Sequence, residues 1–129
     1  MLNTIMTGEG TFSEKVSKIL RECNIYPHLL GFVFLKESII QVQLGTCKVQ
    51  GITKTLYPTV SKVYGSSPSR VERAMRHAIS YAWERAKSEP SVILESLFKY
   101  STRISHVPTN SEFIATLADA ITEHPVGRI

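Results

Sequence analysis

Arg70, Arg73 and Arg76 stand three residues apart, with His77 four beyond Arg73, inside the stretch Ser66 to Arg85. At about 100° per residue, a helix collects them on one face. A guanidinium fork matches two anionic or acceptor-rich targets: the O6 and N7 edge of guanine, and phosphate. Like charges at this spacing repel and weaken an isolated helix. A cluster of this kind therefore costs helix stability and leans toward a polyanionic partner. Glu72 lies among the arginines. Its carboxylate can accept from the amino group of cytosine. It is also one turn ahead of Arg76, at ion-pair spacing, and near enough to the helix start to cap it. The residues alone leave these roles open.

The element that carries them reads clearly. Val71, Ala74, Met75, Ala78, Ile79, Ala82 and Trp83 fall on one half of the wheel. Ser80, Tyr81 and Glu84 join the basic residues on the other half. That is a two-faced helix whose small apolar residues permit close packing. Ser67 before Pro68 gives an N-cap and a first-turn proline, placing the helix at 68–85. Ser69 and Glu72 also have capping-box spacing, which allows a start two residues later. Ahead of it, Pro58 to Tyr64 reads as a short helix, and Gly65 supplies a left-handed turn residue. Residues 58–85 thus have the form of a helix-turn-helix. In such units the second helix puts its N-terminal residues into the major groove, here Arg70, Glu72, Arg73 and Arg76. His77 continues that face toward the backbone phosphates. An ordinary helical hairpin with a solvated basic face fits pattern and charge about as well.

The rest of the chain supplies the frame. Residues 1–10 read as a flexible lead, and 11–129 as one domain. Thr11 and Glu14 have capping-box spacing before a helix from Ser13 to Asn24. Gly31 to Leu44 has the length of a second helix, with Phe32, Leu35, Ile39, Ile40 and Gln43 at its spacings. Its β-branched residues leave a strand open, but its length favours helix. Gly45 to Gly51 reads as a loop or a poor turn of helix. Ile52, Leu56, Val60 and Val63 share a face, and Pro58 must kink or divide that segment. Beyond the basic helix, Lys87 to Pro90 is a turn and Val92 to Phe98 a short helix. Tyr100 to Ser105 alternates like a short extended piece. The last helix is Ser111 to Glu123, with Phe113, Ile114, Leu117, Ala118 and Ile121 inward and Thr109 and Glu112 at capping-box spacing. The expectation is an all-α fold of about six helices around one core.

Composition narrows the function. The 129 residues are 43% hydrophobic and 20% charged, ordinary values for a globular domain with a real core. A net charge of +4 leans toward a polyanion. Cys23 and Cys47 form no CxxC pair, and no secretory signal precedes them, so both read as reduced thiols of a cytoplasmic protein. No apolar run is long enough for a membrane span. His28, His77, His106 and His124 share no metal-ligand spacing. Ser105-His106 lacks a nucleophile-elbow motif, and no glycine-rich loop suits a phosphate cofactor. Neither catalytic residues, nor a metal, nor a cofactor is expected.

Four blocks carry a family resemblance. SRVERAMRHAI, from Ser69 to Ile79, closely resembles the recognition helix of the effector domain of the sporulation response regulators, the stage 0 sporulation protein A family. GITKTLYP, from Gly51 to Pro58, is similar to the entry to that family's helix-turn-helix. GFVFLKESI, from Gly31 to Ile39, resembles its second helix, and PTNSEFIA, from Pro108 to Ala115, the start of its last. The resemblance runs from about Val16 to Glu123. It covers the effector part of that family's protein and not the receiver domain that precedes it there. Lys99 stands where the family usually has glycine, and Pro27 is shifted by one.

The resemblance implies a six-helix fold and binding to double-stranded DNA at a TGTCGAA-type box. It implies a second copy of the domain in tandem on adjacent boxes, and contact with an RNA polymerase sigma factor. Arg70, Glu72, Arg73 and Arg76 would read bases. Ser66, Ser67, Ser69, His77, Lys54 and Lys62 would meet phosphates. A protein-interaction module that acts on a full-length regulator or sigma factor, without its own DNA binding, is the alternative.

Overall fold

A computed structural model describes residues 11–98 and 106–123. Six α-helices follow one another: α1 Phe12–Glu22, α2 Leu30–Leu44, α3 Tyr57–Val63, α4 Pro68–Ala86, α5 Val92–Leu97 and α6 Asn110–Glu123. A 3-10 turn, Val49–Gly51, and a π-helical turn, Ile52–Leu56, lead into α3. No strand occurs among the described residues, so the fold is all-α as expected. The lead at 1–10 and the extended piece expected at 100–105 lie outside the described residues.

Local chemistry fixes the helix ends. Thr11 and Glu14 close a full capping box on α1, with bonds of 3.1 and 3.0 Å. α1 stops two residues before the expected Asn24, which adopts φ 68°. That left-handed residue lets the Ile25 amide turn back to the Leu20 carbonyl. Thr109 and Glu112 make the reciprocal pair of bonds at the start of α6. Cys23 and Cys47 are both free and buried.

α2 forms the centre of the bundle and packs on α1, α3, α4 and α6. This explains why it is apolar nearly all round instead of two-faced. Phe34 and Ser38 are buried on it as well as the expected Phe32, Leu35 and Ile39. The Ser38 hydroxyl stays satisfied by donating to the Phe34 carbonyl at 2.8 Å. Fully buried Phe34, Leu35, Ile39, Met75, Ile79, Phe113 and Leu117 knit α2, α4 and α6 together. Each such side chain contributes about 1.5–3 kcal/mol on leaving water.

The helix-turn-helix is supported from behind. Gly31 sits so close to α4 that an added Cβ would stand 2.5 Å from both the Ala74 carbonyl oxygen and the Ala78 Cβ. Trp83, Phe98 and Phe113 form an aromatic cluster beneath the far end of α4, with ring centroids 5.2–6.3 Å apart. Pro58 divides the segment before α3, as expected. It has no amide for the Lys54 carbonyl, and the wider π turn ahead of it accommodates the ring. The expected common face of that segment holds for Leu56 and Val60, which are buried, and for half-buried Ile52. Val63 departs from it: at 54% exposure it lies open to solvent at the end of α3.

Candidate nucleic-acid interface

The turn between α3 and α4 is built from two backbone bonds around one glycine. Gly65 takes φ 61°. Its amide bonds the Lys62 carbonyl at 3.4 Å, and the Ser66 amide reaches the Ser61 carbonyl at 2.8 Å. This is the left-handed termination that satisfies the last carbonyls of a helix. Two residues on, the Ser67 hydroxyl accepts from the Arg70 amide at 3.2 Å, with Pro68 opening the first turn of α4. The start two residues later, at Ser69, is not used.

α4 then presents the two faces its sequence encodes. Val71, Met75, Ala78, Ile79, Ala82 and Trp83 are buried, and Ala74 is half-buried. Arg70, Arg73, Arg76, His77, Ser80, Tyr81 and Glu84 are exposed. Of the four base-reading candidates, Arg70 and Arg73 project without an ion pair among the described residues. Arg76 and Glu72 hold each other. Arg76 Nε lies 2.9 Å from one Glu72 oxygen and Nη2 3.4 Å from the other. The hydrogen bond from Arg76 is the main reason the Glu72 carboxyl sits below its ordinary 4.5, with the Arg76, Arg73 and His77 charges adding to it. The same bond pushes the Arg76 guanidinium up. The pairing role that the sequence left open for Glu72 is thus the one it fills in the free protein.

The phosphate candidates divide by geometry. Ser67, Ser69 and His77 are exposed on α4 and its cap. Lys62 is exposed on the last turn of α3, and Lys54 on the π turn before it. The Ser66 hydroxyl oxygen is shielded from solvent and has no hydrogen-bond partner among the described residues. Near the far end of α4, Arg85 is engaged within the protein. It lies 4.9 Å over the Tyr26 ring, with its nitrogens 3.3 Å from the Tyr81 hydroxyl and 3.2 Å from a Glu89 oxygen. Along α4, free positive charge therefore lies in the first half, beside the turn.

One residue with a structural hold on this face was not singled out from sequence. Asn110, the first residue of α6, donates from Nδ2 to the Tyr57 hydroxyl at 2.9 Å and to the Glu72 carbonyl at 3.2 Å. The partners lie 53 and 38 residues away, beyond the reach of any local pattern. The expected α6 began one residue later, at Ser111, and left Asn110 in the loop.

No group of His, Cys, Asp and Glu able to hold a metal occurs among the described residues. Burial pushes the Cys23 thiol up to about 12, which keeps it a packed, neutral group and not a nucleophile. Within the described residues, no helix is long and apolar enough to cross a membrane. A capped helix-turn-helix with arginines at the start of its second helix, unpaired among the described residues, is a form that helical DNA-binding domains share. The sequence profile of the family described as Sporulation initiation factor Spo0A C terminal matches residues 16–121. The chain belongs to that family, a family of DNA-binding sporulation regulator domains and not of enzymes.

Proposed function

We propose that this domain is a sequence-specific transcriptional regulator that lays α4 in the major groove of a TGTCGAA-type box. The observation that carries the reading is the contrast along α4: Arg70 and Arg73 stand exposed and unpaired among the described residues, while Arg85 is bound within the fold. Arg70 and Arg73 grip guanine edges through N7 and O6. Arg76 reads from within its fork with Glu72, which aims it, and Glu72 keeps its outward lone pairs for a cytosine amino group. Ser67, Ser69, His77, Lys62 and Lys54 contact phosphates on either side, the helix N-terminus helping, and Ser66 joins them through its hydroxyl, which has no partner among the described residues.

Family membership supports the wider reading. Two copies sit head to tail on adjacent boxes in the cytoplasm, and the assembly touches a sigma factor. DNA raises the effective concentration of neighbouring copies, so a weak contact between them suffices. A gel shift on the box and on a scrambled duplex of equal composition tests the reading. Preferential retention of the box is expected. Equal retention of both leaves a non-specific binder, and no retention leaves the protein-interaction module.

A further inference from the structure

A buried carboxamide from a third helix bonds both members of the helix-turn-helix, α3 and α4. Asn110 is 7% exposed. Its Nδ2 carries two protons, and two acceptors lie within bonding distance, the Tyr57 hydroxyl and the Glu72 backbone carbonyl. Tyr57 is the first residue of α3. The Glu72 carbonyl shares its peptide unit with the Arg73 amide, so the bond takes hold of α4 at the base-reading turn. The Thr109–Glu112 box fixes the start of α6 and with it the position of the carboxamide.

We infer that Asn110 is a specificity-setting positioning residue, locking the rotation of α4 against α3 so that Arg70, Arg73 and Arg76 meet base edges in register. The inference rests on the DNA-reading role proposed above. Its physical basis is a difference in tolerance. Base-edge contacts need their donors held to within about 0.5 Å and 10–20°. Phosphate contacts from flexible serine and lysine side chains follow a helix that shifts by more than that, because charge attraction is less directional. Freeing α4 from Asn110 therefore removes discrimination before it removes affinity. A residue that merely stabilised the fold would lower binding to every duplex alike.

The test uses Asn110→Ala and, should that variant not fold, Tyr57→Phe, which keeps the ring and deletes one acceptor. Two readouts are taken: affinity for box and scrambled duplex across a salt series, and hydrogen exchange of amides 70–77 in the free protein. The expected result is a drop of about tenfold in the box-to-scrambled ratio, on the order of one lost base-edge contact. Affinity for the scrambled duplex and its salt slope stay as in the parent. Exchange at 70–77 quickens. Discrimination unchanged, or lost only in proportion to scrambled affinity, overturns the inference even if exchange quickens. Should the parent itself show no box preference, the proposed function fails on its own, and unaltered exchange at 70–77 in the variant then overturns the anchoring by Asn110 separately.

Discussion

Glu72 and Arg76 form a two-point fork on the surface of α4, with contacts of 2.9 and 3.4 Å one helical turn apart. The fork neutralises one of three arginines on the reading face and leaves Arg70 and Arg73 as its free charge. It also sets a pH dependence. The folded-state value of the Glu72 carboxyl is depressed below the ordinary 4.5, chiefly by its bond from Arg76. A depressed carboxyl contributes stability above its unfolded value and loses it as pH falls through the folded one. The melting-temperature gap between the parent and Glu72→Gln should be constant above about pH 5 and close as pH falls below 4.5. Because the pair is exposed, the gap is small. A gap that widened on acidification would contradict the fork.

Gly31→Ala reverses the usual helix preference. Alanine is favoured over glycine inside a helix by about 1 kcal/mol. Here the new methyl meets the Ala74 carbonyl oxygen and the Ala78 Cβ at 2.5 Å, and the backbone oxygen cannot move aside. Overpacking costs of about 1–3 kcal/mol outweigh the gain. Urea unfolding should show net destabilisation with an unchanged slope; a more stable variant would mean α2 and α4 are not in close contact.

Gly65→Ala tests the turn by strain alone. Nothing lies within 4 Å of a Cβ built there, so there is no clash to confuse the result. The left-handed φ of 61° costs a non-glycine residue about 1–2 kcal/mol. Gly65→Asn should lose less than Gly65→Ala, since asparagine visits that region more readily. Equal losses by chemical denaturation would point away from the left-handed turn.

Much of this arrangement was legible in the residues. The two faces of α4, its Ser67 cap and the Gly65 turn depend on near neighbours, and spacing alone expresses them. α2 was harder, because a central helix buried on most sides loses its periodicity. The turn type before α3 was not foreseeable either. Pro58 announces that a regular helix must be interrupted, but whether the interruption is a kink, a break or a π turn depends on packing. The exposure of Val63 and the two bonds of Asn110 are decided by helices distant in sequence. Glu72 shows the same limit on a smaller scale: spacing permits its bond to Arg76, and the free structure selects it.

The central claim is that arginines of α4 read guanine edges in the major groove. Replacing guanine by 7-deazaguanine within the box removes N7 as an acceptor and leaves base pairing in place. Affinities of the parent and of Arg73→Ala, whose helicity circular dichroism should show intact, are measured on both duplexes. Arg73→Ala alone should cost about 1–3 kcal/mol of discrimination at one guanine. On the substituted box the parent should weaken by about tenfold at that guanine, and Arg73→Ala should lose nothing further there. Undiminished binding of the parent to fully substituted DNA would contradict the claim.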